Sequence, residues 1–122
     1  MSKVVTENHV KALVKKWFDD RGAWSFAPIQ NGLGVHGIPD RVGCVPLTIT
    51  ANMVGMQLGV FVAVECKKPG RRKEARQGLS AHQEIVIKDI VTAHGIAHRV
   101  DGPDELLAVD GEIEWMQEGV RG

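Results

Sequence analysis

No stretch of this 122-residue chain approaches the roughly 18 consecutive apolar residues that a membrane-spanning helix needs. Nor does the chain open with the positive charge, apolar run and small-residue site of a secretory signal. Cysteine is scarce. Cys44 and Cys66 are the only two, each in an apolar, strand-like context and without Cys-x-x-Cys spacing. That usage predicts free, buried thiols in a reducing compartment rather than a disulfide framework. The histidines (His9, His36, His82, His94 and His98) include no ligand pair on one helix face with a cysteine partner, so no zinc site is expected. Net charge is missing too, with 15 Lys and Arg against 15 Asp and Glu. These absences predict an intracellular, soluble chain, cytoplasmic in a bacterial or phage-infected cell, with one domain over 1–122. That length supports a single core but no separate recognition module.

The zero net charge hides a segregation. From Lys67 to Arg76, the six basic residues Lys67, Lys68, Arg71, Arg72, Lys73 and Arg76 face one acid, Glu74, for a net +5. From Asp101 onward, seven acids face only Arg121, for a net −6. Such segregation is compatible with one basic face for phosphates. A solvated basic loop plus an acidic tail accounts for the same charges.

Local signals lay out the scaffold. Thr6 is a good N-cap, and Val10, Leu13, Val14, Trp17 and Phe18 follow at helical spacing until Gly22. Trp24-Ser25-Phe26 reads as a short strand, and Asn31 to Gly37 as a glycine-rich loop lacking the Lys and Ser/Thr of a phosphate loop. Asp40 to Val45 reads as the second strand, and Leu47 to Gly59 as a hairpin or longer loop, with Met53 and Met56 as gap-fillers or partner contacts. Val60-Phe61-Val62-Ala63-Val64 is rich in β-branched residues and reads as a buried strand. Ser80 and Gln83 form a capping box that opens a helix, with Gly95 as its stop. Ile96 to Val100 reads as a last strand, and Pro103 to Val109 as a short helix packed by Trp115.

The chemistry gathers where the buried strand ends. Side chains alternate along a strand, so Glu65 and Lys67 share one face while Cys66 points away with Val62 and Val64. Placing a carboxylate and an ammonium there costs desolvation energy, which a metal ion with a phosphate would offset. Three segments carry a resemblance: Gly37-Ile38-Pro39-Asp40-Arg41, Val62-Ala63-Val64-Glu65-Cys66-Lys67-Lys68-Pro69-Gly70 and Leu79-Ser80-Ala81-His82-Gln83. In this order the chain resembles the VRR-NUC family of the PD-(D/E)XK nuclease superfamily, in its small stand-alone phage and bacterial form. The likeness runs from the Glu7 helix to about Val100.

That resemblance implies an α/β fold with a mixed α+β sheet, a restriction-endonuclease-like core in the order α-β-β-β-α-β, then a short C-terminal helix. It implies a metal-dependent endonuclease acting on branched DNA, such as a four-way junction, and a homodimer. Mg²⁺, with Mn²⁺ as substitute, suits oxygen donors and takes few protein carboxylates, here Asp40 and Glu65 with the Cys66 backbone carbonyl. Lys67 would orient the attacking water or stabilise charge growing on phosphorus. Glu7 and Gln83 match further family positions, Glu7 near the metal and Gln83 near the lysine, water or phosphate. Each has a plainer use, Glu7 complementing a helix dipole and Gln83 capping Ser80. For Gln83 the two uses are expected to compete. Lys68, Arg71, Arg72, Lys73 and Arg76 would meet DNA.

Two other readings use the same residues. One is a catalytically silent DNA-binding module of the same fold. The other is a small structural protein in which Glu65 and Lys67 are a salt bridge at a sheet edge.

Overall fold

The structure, a computed structural model, describes residues 6–29 and 39–118. The glycine-rich segment 31–37, with His36, and Ile38 of the first motif lie outside them. The elements are α1 (Glu7–Asp20), β1 (Trp24–Phe26), β2 (Val42–Cys44), β3 (Val62–Cys66), α2 (Ala81–Thr92), β4 (Ile96–Val100) and α3 (Pro103–Glu118). Helix and strand follow one another in the expected order, giving a mixed α+β fold. In place of one mixed sheet, the described strands form two sheets of two: β1 with β2 antiparallel, β3 with β4 parallel. The chain divides into two compact units, Met1–Leu58 and Gly59–Gly122.

In the first unit, α1 starts where Thr6 Oγ1 accepts the His9 N–H at 3.1 Å. It ends in a Schellman motif, with Gly22 left-handed (φ +66°), Gly22 N–H on Asp19 O and Ala23 N–H on Phe18 O. Trp24 pairs with Cys44 and Phe26 with Val42. Gly43 between them admits no side chain. A Cβ there would stand 2.7 Å from Ser25 Cβ and from Trp24 O, and 2.9 Å from the Phe18 ring. β2 is shorter than expected, because Asp40 sits at a bend before it. The 47–59 stretch holds a single 3-10 turn, Ala51–Met53, in place of a hairpin, and Met53 Sδ accepts the Thr50 N–H at 3.4 Å.

The core of the second unit is made by Ile90 of α2 and Ala93 at its C-cap, Ile96, Ala97 and Val100 of β4, and Val109 of α3. Both helices pack on β4. This corrects the expectation of a buried β3. Val62 and Val64 remain 40% and 41% exposed, and Cys66 is exposed as well, so only Cys44 is a buried thiol. β4 takes the buried central place because the helices cover it and leave the valine face of β3 open.

α2 starts with the full capping box at Ser80 and Gln83. Its stop is one residue earlier than expected. His94, not Gly95, takes the left-handed position (φ +68°), with Gly95 N–H bonded to Ile90 O and His94 N–H to Val91 O. α3 is not short. It runs on through Gly111 to Glu118, and Trp115 is 60% exposed rather than packing the helix. A glycine inside a helix costs about 1 kcal/mol but does not end it.

Candidate active site

The second unit brings three of the expected site residues together. Alternation along β3 puts Glu65 and Lys67 on one face, with Lys67 Nζ 3.6 Å from Glu65 Oε1. The Lys67 side chain is only 13% exposed and Glu65 is 37% exposed, so an ammonium lies largely withdrawn from water beside a carboxylate. From α2, Gln83 reaches the same carboxylate, its Nε2 donating to Glu65 Oε1 at 2.8 Å.

Gln83 caps the helix and makes a second bond at once, and that bond goes to Glu65 in place of the lysine, water or phosphate that the resemblance implied. Its Oε1 accepts the Ser80 N–H at 2.9 Å, Ser80 Oγ accepts the Gln83 N–H at 3.0 Å, and Nε2 remains for Glu65. A side-chain amide carries its acceptor and its donors on different atoms. The helix cap therefore fixes which way the amide points. An N–H, not the amide oxygen, thus meets Glu65.

Among the described residues, Glu65 Oε2 accepts no hydrogen bond, so one carboxylate oxygen is left over. The backbone contributes another oxygen. Ile96 N–H bonds Phe61 O at 3.0 Å and Lys67 N–H bonds Val100 O at 2.9 Å. In a parallel ladder this assigns residues 61, 63, 65 and 67 to β4. The Cys66 carbonyl then faces the opposite edge of β3, which pairs with no strand among the described residues.

The other expected carboxylates belong to the first unit. Asp40 is exposed at the bend before β2. Glu7 is exposed in the first turn of α1, 3.6 Å from Lys11. Its position also suits the helix dipole. Among the described residues, no group of three or more His, Cys, Asp or Glu side chains gathers closely enough to hold a metal ion.

The basic segment divides into engaged and available cations. Arg72 donates to Asp101 through two nitrogens, at 3.1 and 2.9 Å, and to Glu105 at 2.9 Å. Arg71 pairs with Glu74, and Arg76 Nε donates to Leu79 O at 3.3 Å. Lys68 and Lys73 are the two with no carboxylate or hydrogen-bond partner among the described residues. The segment bends sharply. Arg76 (φ 53°), Gln77 (φ 53°) and Gly78 (φ 86°) are left-handed in succession. For the two residues with a Cβ this costs roughly 1–2 kcal/mol each.

The sequence reading assigned no role to Arg99 of β4, yet it sits at the centre of this region. Its side chain is 5% exposed, and it is Glu65's register partner across the parallel pair. Nε donates to Gln77 O at 2.6 Å, and Nη1 lies 2.9 Å from Asp101 Oδ2 and 3.6 Å from Glu105 Oε1. Arg72 above all, with Arg99 behind it, holds the Asp101 carboxyl well below the usual carboxylate range. The signal was present in Ile96-Ala97-His98-Arg99-Val100, where a charge sits inside an apolar strand as Glu65 does in its own.

No helix among the described residues is long and apolar enough to cross a membrane. Comparison with protein-family models, with curated proteins and with solved structures finds no match to this chain.

Proposed function

We propose that this chain is a divalent-metal-dependent DNA endonuclease of the VRR-NUC type, selective for branched DNA such as a four-way junction. The observation that carries the reading is the Glu65–Lys67–Gln83 cluster. A strand-end carboxylate is oriented by a helix amide, and a mostly buried ammonium stands beside it. The three segments that resemble the family supply these same residues, with Asp40 preceding them.

The donors suit a hard cation. Glu65 retains an uncommitted oxygen and the Cys66 carbonyl lies at the strand edge away from β4, both oxygen donors of the kind Mg²⁺ takes, and the family resemblance implies Asp40 and Glu7 as further carboxylates. Bound there, Mg²⁺ or Mn²⁺ supplies neutralisation of phosphate charge and a more acidic water. The chain's own residues do the rest. Gln83 holds the Glu65 carboxyl in place. Lys67 offers N–H donors to a phosphate oxygen or to the attacking water, from a site where little solvent screens it. Lys68 and Lys73 are placed to meet backbone phosphates, which read shape more than sequence. A homodimer would present two such sites to the two strands of a junction.

The 3.6 Å Glu65–Lys67 pair also supports the reading as a structural salt bridge, and an inactive DNA-binding module would keep the basic segment. One experiment separates all three. A labelled panel of four-way junction, 5′ flap, splayed arm, linear duplex and single strand is incubated with Mg²⁺, Mn²⁺ or EDTA, beside Lys67→Ala. Metal-dependent cutting of a branched substrate, lost in the variant, is expected. Binding without cutting points to the silent module, and neither binding nor metal-dependent thermal stabilisation points to the salt bridge.

A further inference from the structure

We propose that Arg99 is the positioning residue of the Glu65–Gln83 pair, a role that rests on the nuclease reading for its catalytic meaning but not for its geometry. A guanidinium is a poor choice for a strand whose neighbours Ala97 and Val100 are buried. Holding β4 in place does not require one. Its bonds indicate what it does instead. Nε grips the carbonyl of Gln77 in the middle of the left-handed stretch 76–78. Three residues later, the Ser80 N–H meets Gln83 Oε1, and Gln83 Nε2 meets Glu65. Glu65 is the register partner of Arg99 itself. The path from Arg99 through Gln77, Ser80 and Gln83 to Glu65 therefore closes on the strand pair where it began.

The connection from Lys67 to Ser80 is held at both ends. At one end the Lys67 N–H bonds Val100 O, and at the other Gln83 bonds Glu65. Arg99 ties down its middle. Two acids keep the guanidinium in place, Asp101 (7% exposed) and Glu105, and Arg72 clamps both from the solvent side. Nη1 and Nη2 make no hydrogen bond of good geometry, so the directional bond of this buried side chain is the one to Gln77. A backbone held in an unfavourable conformation persists only where its surroundings impose it. Here Arg99 is the group that reaches in from another element, and it adds to the local bonds of Gln77 N–H to Glu74 O and Leu79 N–H to Arg76 O.

The test is Arg99→Lys, which keeps the charge between Asp101 and Glu105 and loses the planar reach to Gln77. The Gln83 side-chain amide is followed by ¹H–¹⁵N NMR. In the wild type this signal is expected away from its free-amide position, to which Glu65→Ala returns it. In Arg99→Lys it is expected at that free-amide position, while kcat for the branched substrate falls roughly a hundredfold and KM holds. Gln77→Gly in the Arg99→Lys background, which removes the left-handed penalty, is expected to restore much of both. An Arg99→Lys protein with the wild-type Gln83 signal and kcat would overturn the proposal.

A measurement on the wild type covers the case of a variant that does not fold. The Arg99 Nε–H and the Ser80 amide are expected to exchange with similar protection, since the path opens as a unit. A difference of more than about tenfold would show that they open independently, and the proposal would fall. The two readings fail separately. A wild type that cuts nothing, with the Gln83 signal still dependent on both Glu65 and Arg99, removes the nuclease and leaves the positioning. A cutting enzyme indifferent to Arg99→Lys removes the positioning alone.

Discussion

At Gln83 one amide ends a backbone's need for an acceptor and a carboxylate's need for a donor, and its two ends can be separated by mutation. Gln83→Glu keeps an oxygen for the Ser80 N–H and deletes the donor to Glu65. Stability at pH 7 is expected to change by no more than about 1 kcal/mol in urea denaturation, while kcat falls about a hundredfold. Equal losses in both would mean that Gln83 is only a cap. Asp101 makes the second residue-scale prediction. Its carboxyl is held below the ordinary range by Arg72 first and also by Arg99, so its contribution to stability is complete above the unfolded carboxylate value, near pH 4. That contribution is lost as pH falls from there toward the lower folded value. Asp101→Asn is therefore expected to be less stable than wild type at pH 7, with the gap narrowing in denaturation midpoints as pH falls below about 4. A gap that stays constant with pH would show that the Asp101 charge is not what matters.

At the scale of elements, two helices end by the same hydrogen-bond pattern with different residues. Gly22 closes α1 without strain, whereas His94 closes α2 in a conformation that a Cβ disfavours. His94→Gly is expected to raise stability by about 0.5–1 kcal/mol, seen as a rise of a few degrees in Tm. An unchanged or lowered Tm would mean that the imidazole makes an offsetting contribution. Helix starts were readable because capping is local: Thr6 with His9, and Ser80 with Gln83, each span three residues. The end of α2 was misplaced by one residue because glycine is the usual occupant of the left-handed site and Gly95 stood next to it. Buried and exposed strands were not distinguishable by composition. β3 has the more β-branched run, but α2 and α3 settle on β4.

For the whole molecule, the charge segregation in the sequence resolves into one internal network and a few available cations. Arg72, Asp101, Arg99 and Glu105 largely neutralise one another, so under the proposed function Lys68 and Lys73 are the cations that would meet phosphate. Neutralising Lys68 and Lys73 together is expected to flatten the salt dependence of DNA binding by about 0.9 per lost phosphate contact and leave Tm unchanged. Arg72→Gln is expected to do the reverse, lowering Tm with little change in slope. The opposite pattern would mean that Arg72 leaves its acids when DNA arrives. By itself, the sequence determined the order of helices and strands, the N-caps of α1 and α2, and the common face of Glu65 and Lys67. Those follow from periodicity and from hydrogen bonds spanning a few residues. Only the tertiary structure decided that Gln83 both caps and holds Glu65, that β4 and not β3 is the buried strand, and that Arg72 is engaged. The partners that settle the first and last of these lie 18, 29 and 33 residues away along the chain. No local pattern encodes a pairing over such separations, because it exists only once the sheet and helices have brought the side chains together.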